Sequence, residues 1–230
     1  MPQKIAQRIF SYVKPFKHVI WDWNGTLIND VQETVSVLGN LMRRYKLRPL
    51  SVSEYKKLFC FPVYDFYKQV GFDLSYSDFK SLSNEFYDLY AQRLEDAELF
   101  EGVLETLELI GNTRVQSILS AANQEHLEEV VRKFGIHVHF THIYGALDKL
   151  AAGKLERGQE LIQASGIRPE ETILVGDTDH DFEVAQKLGI ECLLIADGHQ
   201  NLERLSQVHH KVLPSRFPGR KLTESSKELI

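Results

Sequence analysis

The segment WDWNGTLIND, Trp21 to Asp30, places a lone carboxylate, Asp22, at the end of the apolar run Val19-Ile20-Trp21. Asn24, Gly25 and Thr26 follow at once, and the chain then becomes helix-compatible. A carboxylate at the C-terminal tip of a buried strand sits where open α/β sheets place their chemistry. Such a group can act as a nucleophile or hold a divalent cation. It can also do no more than cap the next helix. Three other segments bear on the choice. The run SIL ends at Ser120, followed by Ala121, Ala122 and Asn123. Gly153-Lys154 precedes a helical pattern, and ILV runs into Gly176-Asp177-Thr178-Asp179-His180-Asp181. Each falls at the C-terminal end of a predicted strand or in the loop beyond it. A nucleophile, a hydroxyl, an ammonium and a second acidic cluster would then converge, which is what phosphoryl transfer through an aspartyl-phosphate requires. Ser120 and Lys154 would stabilise phosphoryl oxygens, with backbone N–H groups around Gly25 and Ala121 as further donors.

The elements that must position these groups are legible as alternation. Apolar, β-rich runs at His18–Trp21, Val115–Leu119, His142–Tyr144, Thr172–Val175 and Cys192–Ile195 are separated by helical patterns at Gln124–Phe134, Leu155–Ala164 and Asp181–Leu188. That order predicts an α/β fold with a doubly wound parallel sheet. Residues 30–97 differ, with aromatics and Leu at helical spacing (Phe79, Leu82, Phe86, Leu89, Tyr90). They predict an all-helical insertion of three or four helices, broken at Pro62 and Gly71, lying over Asp22 as a lid. The division expected is a core of 1–29 and 98–230 and a helical cap of 30–97. Residues 1–16 read as an amphipathic helix packed on the core, and 214–230 as a polar, partly disordered tail.

Composition narrows the function. Of 230 residues, 43% are hydrophobic and 26% charged, with a net charge of −5. No concentrated basic field would hold nucleic acid or an anionic membrane, and no apolar run reaches a membrane span. Two distant cysteines, Cys60 and Cys192, fit a reducing, cytoplasmic compartment. The expected partner is a small phosphorylated metabolite, and the expected assembly a monomer or weak homodimer.

These motifs together resemble the haloacid dehalogenase-like (HAD) hydrolase superfamily, and within it the phosphoglycolate-phosphatase-like group. WDWNGTL resembles its first motif, DxDGTL; ILS the second; Lys154 the third; and GDTDHD the fourth, GDxxxD. The resemblance runs over roughly residues 17 to 200 and implies a Rossmann-like core with a helical cap and an Mg2+ cofactor. By resemblance Asp22 is the nucleophile, and Asp22, the Asn24 carbonyl and Asp177 hold the metal. Ser120 and Lys154 bind the transferring group, and Asp181 supports the metal or orients Lys154. Gly25, Thr26, Ala121, Phe61 and His180 are the expected substrate contacts.

Two positions depart from the pattern. Lys154 is followed by Leu155 rather than Pro, and Lys149 is a rival for its place. Asn24 stands where phosphatases of the family carry a second Asp, the general acid and base. Asparagine exchanges no proton near neutral pH, and such help is typically worth about 10²–10⁴-fold. His180, Asp179 and His199 are candidate substitutes. His199 otherwise reads as a surface-turn histidine, and Arg43, Arg44 and Lys46 as either anion contacts or a solvated face. Two alternatives follow: a catalytically impaired homologue that binds a phosphorylated ligand, and a phosphonatase-like C–P hydrolase. The second needs a Schiff-base lysine, with Lys46, Lys56 and Lys57 as candidates.

Overall fold

A computed structural model describes residues 1–94, 97–147 and 153–217. In chain order the elements are α1 (Pro2–Val13), β1 (His18–Trp21), β2 (Ile28–Asn29), α2 (Val31–Arg44), α3 (Val52–Leu58), α4 (Val63–Gln69), α5 (Tyr76–Arg93) and β3 (Glu98–Leu99). There follow α6 (Val103–Gly111), β4 (Val115–Asn123), α7 (Gln124–Lys133), β5 (His142–Ala146), α8 (Lys154–Ser165), β6 (Thr172–Gly176), α9 (Asp179–Leu188), β7 (Glu191–Ile195), α10 (Leu202–Val208) and β8 (Val212–Leu213).

Six strands form one sheet in the order β5-β4-β1-β6-β7-β8, every pair parallel. Successive side chains of a strand point to opposite faces, and β1 shows the result. Val19 and Trp21 join a core with α1, α6 and α7, while Ile20 joins a second core with α8, α9 and α10. The sheet is therefore covered on both sides, as its continuously apolar strands require. β1 sits at its centre, so the tip of the first motif lies between the tips of β4 and β6. Glycines in the left-handed region at 135, 166 and 189 end α7, α8 and α9, as the recurrent Gly-Ile pairs suggest.

Helices α2 to α5 build a third apolar cluster of their own around Leu38, Leu41, Tyr55, Phe66, Tyr67 and Phe79. They join the rest of the chain through the antiparallel pair β2–β3, Ile28 opposite Leu99 and Asn29 opposite Glu98. Those two strands and β8 carry no readable period at two residues each. The N-terminal helix packs Ile5, Ile9 and Val13 into the first core. No described helix is long and apolar enough to cross a membrane.

The expected polar tail is corrected over residues 214–217. Arg216 is 1% exposed. Its guanidinium lies 3.6 Å from the Phe100 ring centroid and donates to an Asp197 carboxylate oxygen and to the Thr26 carbonyl, both at 3.0 Å. A buried guanidinium needs its charge paired, and this one, paired with Asp197, clamps the loop that follows Asp22. Residues 218–230, and Lys149, lie outside the described residues.

Candidate active site

The tip of β1 is fixed before its chemistry begins. The Asp22 N–H donates to the Val175 carbonyl at 2.9 Å, continuing the ladder to β6. Its side chain then meets the Lys154 ammonium at 2.5 Å, and the same ammonium donates to Asp181 at 2.6 Å. Lys154 is the first residue of α8 and is buried. Burial alone would lower its pKa; the Asp181 and Asp22 carboxylates outweigh that and hold it raised. Asp181 is positioned by a capping box at the start of α9. Its second oxygen accepts from the Thr178 hydroxyl at 2.7 Å and from the Thr178 and Asp177 N–H groups. Burial would raise Asp181, but Lys154 and the Thr178 contact keep it low. Asp22 fares otherwise. Burial drives its pKa well above the usual range, Lys154 opposes this, and the charges of Asp181 and Asp177 add to it.

Asp177 hangs from β6 between two loops. Thr26 donates its hydroxyl to one carboxylate oxygen at 3.0 Å, and the His199 N–H reaches the other at 2.6 Å. A Cβ at Gly25 or Gly198 would fall 2.2 or 2.1 Å from that oxygen, so both loops close on the carboxylate only because these positions lack side chains. Burial pushes Asp177 up to about 6, with Asp181 adding and His199 opposing. Oxygens of Asp22, Asp177 and Asp181 all lie within 4.8 Å of one another. Four buried carboxylates, those three and Asp30, face two buried cationic groups, Lys154 and His199. A cluster of hard oxygen donors with an excess of two negative charges fits a divalent cation. Asp22, driven upward by burial and further by the Asp181 and Asp177 charges, is the group such a charge would relieve.

A second network lies beside the first and joins Asn24 to the helical layer. The Asn24 amide donates to Asp30 Oδ2 at 3.0 Å and to the Tyr90 hydroxyl at 2.6 Å. Tyr90 in turn donates to the same Asp30 oxygen at 2.5 Å. Asp30 Oδ1 accepts from the Gly25 N–H at 2.8 Å and lies 3.2 Å from His199 Nε2. His199 Nδ1 is 2.9 Å from the Tyr55 hydroxyl. Burial would lower His199, yet Asp30 and then Asp177 raise it to about 9. Asp30 is held below its usual range because His199, Tyr90 and Asn24 outweigh burial. The imidazole is therefore charged at neutral pH, and the pair spans the loop after β7 and the start of α2.

A cavity of about 180 Å3 opens on Asp22. Asn24, Ser120, Ala121, Lys154, Asp177, His180 and Phe61 line it, so the structure brings these expected residues together with the carboxylate. Asp181 stands behind Lys154. Gly25 and Thr26 do not line the cavity. The Gly25 N–H is taken by Asp30 and by the Ile28 carbonyl, and the Thr26 hydroxyl by Asp177. His199 is not a surface-turn residue but is 6% exposed within the second network. Asp179 is held by Arg204 and Gln200. Arg44 pairs with Glu85 on the surface and Arg43 bonds Asn40, so neither reaches the cavity. Lys46, Lys56 and Lys57 do not line it, and Lys56 donates to the Asp197 carbonyl. Asp30, Tyr55 and Tyr90 are new. Asp30 could have been found from its place in the first motif, whereas the tyrosines read as core aromatics.

Comparison with known proteins agrees with this geometry. A 5'-nucleotidase of Pseudomonas aeruginosa is 28% identical over 114 residues, covering 49% of this chain. The matched stretch spans about half of that protein's length, 52%. A phosphoglycolate phosphatase of Synechococcus elongatus is 21% identical over 188 residues, 81% of this chain and 87% of that protein. A haloacid dehalogenase-like family hydrolase from Streptococcus pneumoniae superposes with a TM-score of 0.74 at 19% identity, covering 87% and 94% of the two chains. The family model for haloacid dehalogenase-like hydrolases matches residues 19–195, from the first residues of β1 to the end of β7. With all four motif positions inside that span and gathered at one edge of the sheet, the chain belongs to the haloacid dehalogenase-like hydrolase family.

Proposed function

We propose that this protein is an Mg2+-dependent phosphatase of a small phosphorylated metabolite, working through an aspartyl-phosphate on Asp22. The observation that carries the reading is the buried triplet Asp22–Lys154–Asp181, with Asp177 beside it and an unbalanced charge of two. Asp22 and Asp177 would hold the cation, with the Asn24 carbonyl as the third protein ligand the family pattern implies. Both Asp181 oxygens are already engaged, by Lys154 and by Thr178, so Asp181 acts as a positioning residue. When bound, the cation would offset the repulsion between an anionic nucleophile and an anionic ester.

The chain's own groups do the rest. Lys154 orients Asp22 and neutralises a phosphoryl oxygen, and Ser120, buried in the C-terminal half of β4, offers a hydroxyl to another. The Ser120 oxygen already accepts from the Ala122 N–H at 3.0 Å, which fixes its rotamer. Helices α2 to α5 would serve as the cap, excluding water while Asp22 attacks phosphorus and the ester oxygen leaves. Water then attacks the same phosphorus, releasing phosphate and restoring Asp22. The C–P reading gains no support, since among the described residues no lysine but Lys154 lines the cavity. The binding-only reading rests on Asn24 alone.

The test is Asp22→Asn. It should abolish phosphate release from a panel of phosphomonoesters with Mg2+, and also Mg2+-dependent trapping of beryllofluoride. Activity above a few per cent of wild type in that variant would remove Asp22 from the role.

A further inference from the structure

Resting on the phosphatase reading, we infer that the leaving group this site takes is an uncharged, single-ring aromatic alcohol, so that the substrate is an aryl phosphate and not a phosphorylated acid or sugar.

The cavity is chemically split. Its polar end is the catalytic edge of the sheet, with Asp22, Ser120, Lys154 and Asp177. Its other end is supplied by the helical layer, where Leu38, Phe59, Phe61, Val63, Phe66 and Phe86 line it. These rings pack on one another. Phe59 lies 5.4 Å from Phe61 and 5.3 Å from Phe66, with both pairs edge to face. Phe61 stacks on His180 at 4.4 Å and 21°, which carries the aromatic wall down to the α9 end of the site. Among the described residues lining the cavity, the one Lys or Arg is Lys154, and its ammonium is held between Asp22 and Asp181. The helical layer thus brings no cation to the leaving-group end. A carboxylate placed there would be stripped of water with no cation of the helical layer to pair it, and a run of sugar hydroxyls would find only the scattered hydroxyls of residues such as Thr34, Ser83 and Tyr87. A ring placed there would find edge-to-face and stacked neighbours on several sides. The volume agrees: an apolar protein cavity of about 150 Å3 takes up benzene. About 180 Å3 therefore has room for a phosphoryl group and one ring.

Asn24 supplies an independent reason. Its amide is tied to Asp30 and Tyr90 and has no proton to give. As the Asp22 oxygen–phosphorus bond forms, the phosphorus–ester oxygen bond breaks and the electron pair leaves on that oxygen. A phenol, with a pKa near 10 as in tyrosine, carries that pair away and takes its proton from solvent afterwards. An aliphatic alkoxide, closer to the value of about 15.7 for water, does not. The apolar lining and the missing acid thus select the same chemistry.

The experiment uses the purified full chain with Mg2+ and three esters. These are phenyl phosphate, benzyl phosphate (a ring on an alkyl oxygen) and 2-phosphoglycolate. Binding of phenylphosphonate and phosphonoacetate, measured by calorimetry, separates recognition from chemistry. The expected order of kcat/KM is phenyl, then benzyl, then glycolate, with at least about 100-fold between first and last, the scale of discrimination a shaped apolar pocket reaches. Phenylphosphonate should bind at least about 10-fold more tightly than phosphonoacetate. Phe86→Arg should shift both ratios toward the carboxylate by about 10-fold or more. If that variant does not fold, Phe86→Ala should still lower the phenyl preference. Turnover with 2-phosphoglycolate equal to or above phenyl phosphate would overturn the inference while leaving the phosphatase reading intact. No turnover of any ester, with phenylphosphonate still preferred, would overturn the phosphatase reading and keep the aromatic site. No preference in either assay would overturn the inference outright.

Discussion

Replacing Asn24 by the aspartate that phosphatases of the family carry is the most informative single change, because the structure opposes it. The Asn24 amide nitrogen lies 3.0 Å from Asp30 Oδ2. Asn24→Asp puts a carboxylate oxygen where a donor stood, facing an oxygen that is buried and held ionised by His199. Two unit charges about 3 Å apart repel by about 5 kcal/mol at an effective dielectric near 20. The lost donation to Asp30 adds about 1 kcal/mol. Carboxylates this close share a proton instead of both ionising, so the introduced carboxyl is held above its usual range in the folded protein. The sign follows. The folded state keeps a proton that the unfolded chain releases near pH 4, so stability is unaffected below that value and falls as pH rises above it. The slope is about 1.4 kcal/mol per pH unit until the folded group ionises. Urea denaturation of wild type and variant should therefore lie close at pH 4 and separate by about 5 kcal/mol by pH 8. The same retained proton sits at the cavity edge, so alkyl phosphate turnover at pH 6 should rise by about 10-fold, with aryl esters much less changed. A stability difference that stays flat within about 0.5 kcal/mol from pH 5 to 8 would refute the electrostatic reasoning.

Mg2+ should stabilise the wild type by about 2.7 kcal/mol at 100 times its dissociation constant, read as a rise in Tm, and Asp177→Asn should abolish the effect. Because burial raises Asp177 to about 6 and drives Asp22 well above its usual range, proton competition should weaken Mg2+ binding by at least about tenfold per pH unit below about pH 6; a pH-independent Tm shift between pH 7 and 5 would refute it. His18, buried on β1 and paired with Ser117 at 2.8 Å, is pushed down to about 4 by burial and then by His142. Its folded pKa lies below the unfolded value, so it withdraws stability as pH falls from about 6.5 toward 4. Against His18→Asn, the wild type should lose about 2–3 kcal/mol more between pH 7 and 4.5, and parallel denaturation curves would sink the assignment.

The sheet was legible because its strands are continuously apolar and separated by Gly-terminated helices. The first network was legible because Asp22, Ser120, Lys154 and Asp177 each end a strand or open the next helix. The second network was not. Asp30, Tyr55, Tyr90 and His199 come from three helices or their starts and from one loop, and no local spacing relates them. His199 looked like a turn residue since nothing near it in the chain pairs with it; its partner Asp30 is 169 positions away. In the sequence Gly25 and Thr26 read as substrate contacts because a glycine turn beside a carboxylate resembles an anion cradle. In the fold the turn's own N–H and hydroxyl serve Asp30 and Asp177 instead. The two-residue strands β2, β3 and β8 are too short to show a period.

The Arg216 clamp has a consequence for how the protein comes into being. Synthesis is vectorial, and the loop that follows Asp22 emerges 190 residues before the guanidinium that fastens it. Until then the Thr26 carbonyl must find water or some other donor, and the Phe100 ring lacks the cation above it. A chain interrupted anywhere in that interval carries the whole first motif without its fastening. Assembly of the catalytic edge thus waits for Arg216, although its key carboxylate Asp22 is made well before it.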